Sequence, residues 1–277
     1  MNQIKAFLFG LIQGFSEFLP ISSSGHLVLL RTFFDIKDFN LLFILVLHLG
    51  TLTAILSYYR KELLNILQHF FLKPFSFSGP GRVVLLIMWA TLPGITGAFL
   101  LSSLVKKSLL HPTWTGWGFI LTATCLFFTS KKLIKKKPHQ NSFSLFNSIE
   151  NWNQFSFSTA FLVGLAQTFA FFPGMSRSGW TIAVALFLGC SQHQAACFSF
   201  LLAIPAILGG TLFEFFNTPL PDRFSFFNLS IAFLSAWFFG YIALKWLIHS
   251  LQKALFPFFS FYLWPLGVFI ICKHFFF

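Results

Sequence analysis

The sequence predicts an all-α polytopic membrane protein made of two inverted-topology repeats, each a re-entrant helix hairpin plus three transmembrane helices. Three observations lead there. The 277 residues are 56% hydrophobic and only 9% charged, with a mean hydropathy of +0.76. A soluble domain carries roughly 25% charged residues, so the solvent for most of this chain is lipid. The apolar residues come in long runs instead of alternating, which favours helices over a β-barrel. Third, an early apolar segment broken by polar residues recurs 154 residues later.

Taken in order, residues 4–19 fit a helix of about 24 Å, short of the ~30 Å hydrocarbon core. Pro20 and the S-S-S-G turn break it, and a second short helix starts near Gly25 and runs to about Phe34. Two short helices around a polar turn describe a re-entrant hairpin, tolerated at membrane depth where protein buries it or it lines a cavity. Gln13 and Glu17 interrupt the apolar run and no small-residue cleavage site follows, so a cleavable signal is not expected. Six spans are then expected, at roughly 41–59, 83–105, 113–130, 194–216, 227–248 and 255–273. Trp114, Trp117, Trp152, Tyr58, Tyr59 and Tyr262 fall near their ends, as interfacial aromatics do. The 44 Phe read mainly as lipid-facing filler. Cys125, Cys190, Cys197 and Cys272 have no metal spacing and read as small apolar residues.

Between the third and fourth spans lies a basic polar loop, 131–156, with Lys131, Lys132, Lys135, Lys136 and Lys137. After it comes the second broken segment, 157–190, interrupted at P-G-M-S-R-S-G. Aligned without a gap, Gly10, Leu11, Gln13, Phe15, Phe18, Ser22, Ser24 and Gly25 match Gly164, Leu165, Gln167, Phe169, Phe172, Ser176, Ser178 and Gly179. Ser23 falls opposite Arg177. The chain thus reads as a single integral membrane domain over 1–277, with repeat one at about 1–130, a cytoplasmic loop at about 131–156 and repeat two at about 157–277. A hairpin makes no net crossing and three spans do, so the second half is inverted and the two turns share a site near the midplane.

The net charge of +12 would suggest nucleic acid in a soluble protein. Here the basic residues fall in short loops, the positive-inside pattern, and no nucleic-acid partner is expected. With the 131–137 lysines cytoplasmic, Arg60, Lys61, Lys73, Arg82, Lys245 and Lys253 share that side. Lys5, Arg31, Lys37, Lys106, Lys107, Arg223 and Lys273 fall on the other. Both termini are then outside, with the first hairpin entering from the outer face.

The two turns carry the chemistry. An ionisable residue at membrane depth is costly and points to function. Gln13 and Glu17 are four apart and share a helix face. Ser22, Ser23 and Ser24 precede a helix start, whose positive dipole end and free N–H groups favour an anion, and His26 follows. In the second turn Ser176, Arg177 and Ser178 precede another helix start, with Thr181 one turn in. Arg177 offers a planar fork of donors suited to phosphate. Together these are the components of a phosphate site, with Glu17 or His26 available for proton transfer and a serine for attack on phosphorus or for a hydrogen bond. Plainer readings exist: serines at helix starts are commonly caps, Glu17 and Arg177 could be a structural ion pair, and His26 a core histidine. His48, His69, His111, His139, His193, His249 and His274 have no such company and read as structural.

At these residues the sequence resembles the undecaprenyl-diphosphatase family, also known through bacitracin resistance. One family signature matches residues 13–26, Q-G-F-S-E-F-L-P-I-S-S-S-G-H, and another matches P-G-M-S-R-S-G-W-T at 173–181. F-S-F-L-L-A-I-P at 198–205 is further family-like text. The resemblance implies a multi-pass enzyme of the bacterial inner membrane that hydrolyses undecaprenyl diphosphate to undecaprenyl phosphate and inorganic phosphate. Its site would face the periplasm, and its product would be recycled as carrier lipid for peptidoglycan. By position it implies Glu17, Ser23, His26 and Arg177 as catalytic residues, with Gln13, Ser22, Ser24, Ser176, Ser178 and Thr181 around the substrate. Many members have Glu where this chain has Gln13, which puts a two-carboxylate mechanism in doubt here. A divalent cation, Mg²⁺ first, is expected as a partner of the lipid diphosphate near Glu17, not as a caged metal. The partners implied are the polyprenyl diphosphate lipid and the bilayer, with a homodimer as one oligomeric arrangement. Broken helices in inverted repeats are also a transporter pattern, so a polyprenyl-phosphate flippase is the alternative.

Overall fold

The computed structural model describes residues 2–36, 41–72, 76–77, 79–109, 111–133, 152, 155–217 and 225–276. Lys37, Lys73, Lys135, Lys136, Lys137, His139 and Arg223, on which parts of the loop-charge and histidine readings rest, lie outside these residues. Eleven α-helices and one 3₁₀ turn are present among the described residues. They are α1 (Gln3–Phe18), α2 (Ser23–Phe33), α3 (Leu41–Tyr58), α4 (Arg60–Leu72), α5 (Gly79–Leu109) and α6 (Pro112–Leu133). Then come α7 (Phe157–Phe169), α8 (Arg177–Phe187), α9 (Gln192–Asn217), α10 (Phe226–Gln252), the 3₁₀ turn (Phe256–Phe258) and α11 (Phe259–Phe276).

Among the described residues, five stretches are long and apolar enough to cross a membrane: Leu41–Tyr58, Gly79–Val105, Gln192–Asn217, Phe226–Gln252 and Phe256–Lys273. The sixth expected span, α6, is not among them. It has 22 residues, but Thr113, Thr115, Thr122, Thr124 and Thr129, with Gly116 and Gly118, dilute its apolar character. The loop expected after the first span contains a helix instead. In α4 the leucines and phenylalanines recur at helical spacing, and Leu64, Leu67, Phe71 and Leu72 remain exposed while Ile66 is buried. Such a helix, at 13 residues, is too short to span.

Helix α1 packs on α10, α7 on α5, and α6 on α11. Small residues let these backbones approach, the usual device where lipid supplies no hydrophobic drive between helices. Gly10 and Gly14 lie against Ala232, Ser235, Ala236 and Gly240; Gly164 lies on the backbone of Ala90; Gly116 faces Gly267. A Cβ at Gly164 would fall on the Ala90 carbonyl oxygen, so a branched side chain must separate α5 from α7. Gly164→Val is expected to destabilise the protein by about 1–3 kcal/mol or more. The measurement is loss of folded protein on heating in detergent; an unchanged melting temperature would show that the contact tolerates separation.

The phenylalanines divide into two populations. Phe33, Phe71, Phe99 and Phe216 are exposed as expected, whereas Phe9, Phe18, Phe119, Phe198, Phe200 and Phe256 are fully buried. Trp152 and Tyr59, read as interfacial, are also buried. The Trp152 ring meets Phe155 and Phe198 at a tilt, with centroids 5.2 and 5.9 Å away. The Arg82 guanidinium donates to the Trp152 and Phe155 carbonyls at 3.1 and 3.0 Å, tying both residues to α5.

Candidate active site

The two polar turns end α1 and α7 and start α2 and α8, and they meet. Pro20 has no N–H to donate and helix α1 stops before it. Ser22 then takes a positive φ of 69°, a conformation L-residues rarely adopt. Its Oγ accepts from Gly25 N–H at 3.4 Å and its carbonyl accepts from His26 N–H at 3.2 Å. In the second turn Gly174 supplies the positive φ of 84°. There Ser176 Oγ accepts from Gly179 N–H at 3.1 Å and its carbonyl from Trp180 N–H at 2.9 Å. Residues matched in the sequence repeat, Ser22 with Ser176 and Gly25 with Gly179, therefore make the same cap.

Hydroxyls stitch the turns together. Ser22 Oγ donates to the Met175 carbonyl at 3.3 Å, and Ser178 Oγ donates to the Leu19 carbonyl at 3.2 Å. Ser24 lies 3.2 Å from Ser22, and Ser178 the same distance from Ser176, between hydroxyl oxygens. From α6, Thr122 Oγ1 accepts from Ser176 N–H at 3.1 Å and donates to the Gly174 carbonyl at 3.2 Å.

Against this frame sits one chain of charged and polar groups. Arg177 Nη2 donates to Glu17 Oε1 at 2.7 Å, and Ser23 Oγ donates to Glu17 Oε2 at 2.6 Å. Gln13 Nε2 also donates to Oε2, at 3.1 Å. The Glu17 side chain is 7% exposed and that of Arg177 13%, so the pair is largely out of water. A carboxylate and a guanidinium that bury each other avoid the penalty of a lone buried charge. Arg177 Nη1 donates to the Ser199 carbonyl at 3.3 Å. Thr181 Oγ1 donates to the Arg177 carbonyl at 2.8 Å and lies 2.7 Å from Ser199 Oγ. Thr181 and Ser199 thus fix the arginine from behind.

His26 stands apart from this chain. Its Nδ1 is 2.9 Å from the Ser22 carbonyl and its Nε2 is 2.7 Å from the Tyr262 hydroxyl. The Phe119 ring meets it edge-on at 5.3 Å. Ser23 is therefore bonded to Glu17 directly, not through the imidazole.

The structure brings Gln13, Glu17, Ser23 and Arg177 into contact, joins the turns through Ser22 and Ser178, bonds Ser24 and Ser176 to those two hydroxyls within their own turns, and sets Thr181 behind Arg177. Three contributors were not foreseen. Ser199 lies in the family-like 198–205 text, which gave a signal without a role. Thr122 is one threonine among several in α6. Tyr262 reads from sequence as an interfacial aromatic. As a cation site the donor set is sparse. Both Glu17 oxygens are engaged, and among the described residues no group of three or more His, Cys, Asp or Glu could hold a metal. Gln13 Oε1 is a buried acceptor with no partner among the described residues.

Fold and site together define a multi-pass helical membrane protein with a buried, arginine-paired carboxylate beside two serine-capped helix starts. The chain belongs to the bacitracin resistance protein BacA family, whose model matches residues 6–269 and so takes in every residue of the site. It is 34% identical to undecaprenyl-diphosphatase 4 of Bacillus cereus over 277 residues, which cover 99% of this chain and 98% of that one. It is 36% identical to an undecaprenyl-diphosphatase of Carboxydothermus hydrogenoformans, with 98% of this chain and 97% of the relative covered. A relative of the same name in Methanobrevibacter smithii is 32% identical over 98% of this chain and 97% of its own.

Proposed function

We propose that the protein hydrolyses undecaprenyl diphosphate to undecaprenyl phosphate and inorganic phosphate, returning the carrier lipid for peptidoglycan synthesis and conferring bacitracin resistance. The observation that carries the reading is the Arg177–Glu17–Ser23 chain at the junction of two helix starts. Relatives that match nearly full length bear the diphosphatase name, and the flippase alternative is not favoured.

In the proposed reaction the terminal phosphate enters against the first turns of α2 and α8, whose leading N–H groups have no intrahelical partner. Arg177 contributes its remaining N–H groups. Ser23 Oγ attacks the terminal phosphorus while its proton passes to Glu17 Oε2, along the bond already formed. The bond between that phosphorus and the bridging oxygen breaks, and undecaprenyl phosphate leaves with the electron pair. Water then attacks the phosphoserine; one of its protons returns to Ser23 Oγ by way of Glu17, and inorganic phosphate departs. Charge developing on the equatorial oxygens is met by Arg177 and the helix starts. A divalent cation, Mg²⁺ first, would come as the diphosphate's own partner and would neutralise charge on its oxygens; Gln13 Oε1, which has no partner among the described residues, and Glu17 would be the protein groups to hold it, and no step depends on it.

We also propose the finer topology. The α1–α2 and α7–α8 units are re-entrant hairpins of two inverted repeats, about 1–130 and 157–277. Supporting this, the matched glycines Gly10 and Gly164 each face the middle long helix of the other half, α10 and α5, and the two turns carry matched caps. The membrane is the bacterial inner membrane, with the site open to the periplasm, in keeping with the loop charges.

The test is phosphate release from undecaprenyl diphosphate by purified protein in detergent micelles, where no vectorial movement exists. Turnover is expected, with labelled phosphate trapped on Ser23 after acid quench, and Ser23→Ala is expected to lose about 10²–10⁴-fold in rate. Tight lipid binding with no released phosphate would sink the enzyme reading.

A further inference from the structure

The His26 ring carries information about its own protonation. A carbonyl oxygen only accepts, so the 2.9 Å contact with the Ser22 carbonyl puts a proton on Nδ1. In the neutral ring Nε2 then has a lone pair, and the group 2.7 Å from it, the Tyr262 hydroxyl, donates. The two rings also stack, with centroids 5.8 Å apart and planes 17° apart. Tyr262 comes from α11, 236 residues away in sequence. Phe119 closes the other side of the imidazole. Tyr262 itself is 49% exposed, so it forms the outward side of a ring that is 8% exposed.

We infer that Tyr262 is a positioning residue of this site: its hydroxyl holds Nε2 of His26, fixing the imidazole as the Nδ1–H tautomer with its one basic atom turned toward α11. The inference rests on the phosphatase reading for its kinetic consequence alone. It divides the proton work of the site. Glu17 serves Ser23, and any proton that His26 takes or gives passes through the Tyr262 hydroxyl bonded to its Nε2. It also gives α11 a part in the reaction that neither hairpin can supply.

Tyr262→Phe keeps the stacked ring and removes only the O–H. We expect kcat to fall about tenfold, the size of one lost orienting hydrogen bond, with KM within about twofold. In a His26→Ala background the same change is expected to have no further effect, because the two residues act as one unit. Ring-¹⁵N histidine spectra in detergent, with His26 assigned by difference from His26→Ala, give the structural readout. The wild type is expected to show a single Nδ1–H tautomer, and Tyr262→Phe to move the Nε2 resonance toward that of an unbonded lone pair. An equal kcat loss in both backgrounds, wild-type kcat in Tyr262→Phe, or an unmoved Nε2 resonance overturns the proposal. If Tyr262→Phe does not fold, the wild-type spectrum decides: a mixture of tautomers at His26 overturns it. Should the wild type release no phosphate, the phosphatase reading falls while the spectra still judge the positioning.

Discussion

Arg177→Ala should lower phosphate release by at least about 10³-fold, the upper end of what a single removed oxyanion donor costs. Two losses combine. The side chain that donates to Glu17 and faces the anion is gone, and Glu17 is left with its charge buried and one oxygen without its partner. Breaking a buried ion pair from one side costs about 3–5 kcal/mol, so the variant should also melt earlier in detergent. Arg177→Lys separates these effects. A lysine restores the charge beside Glu17 but not the fork that reaches Glu17 and the Ser199 carbonyl at once. Its stability should recover more than its rate. Near-normal phosphate release from Arg177→Ala would remove the arginine from the site.

Glu17→Gln should cost about 10²–10⁴-fold in kcat, the range for a lost general base, with the fold retained. The amide is close in shape, so Arg177 and Ser23 keep an oxygen and a neighbour, but Ser23 no longer has a carboxylate to receive its proton. Binding should move the other way. Without the Glu17 charge the guanidinium is free to meet the anion, and a non-hydrolysable lipid diphosphate analogue should bind as tightly as before or more so. Measuring kcat and analogue affinity on the same preparation checks both signs. A kcat within about tenfold of wild type would assign the proton of Ser23 to another acceptor.

What could be read from the sequence was what is local. Pro20 after an apolar run, three serines before a helix start and the matched P-G-M-S-R-S-G turn each announce themselves within a few residues. Their spacing was enough to bring Glu17, Ser23 and Arg177 to one place. Contacts made across the molecule left no such trace. Nothing near Tyr262 marks it as the partner of a histidine 236 residues earlier, and burial of Trp152 under Phe155 and Phe198 depends on packing that composition cannot show. Membrane depth misled in both directions. The threonines of α6 look harmless one at a time yet leave that helix outside the five clearly apolar spans. The exposed apolar face of α4 hides in a segment whose Arg60, Lys61 and Glu62 read as loop. His26 stands out in the sequence beside the serines, but its partner across the molecule does not.

The crossed packing of α1 on α10 has a consequence for how the protein is made. Gly10 finds its seat against Ala232 and Ser235, roughly 220 residues later in the chain. At about 5–20 residues per second of synthesis, the first hairpin, with Glu17 in it, waits on the order of ten to forty seconds before its partner exists. For most of that interval its polar turn also lacks Met175 and Arg177, so it has neither its hydroxyl acceptor nor its counter-charge. The first hairpin therefore cannot complete its site, or bury its polar turn against its own partners, until the second half of the chain has been made.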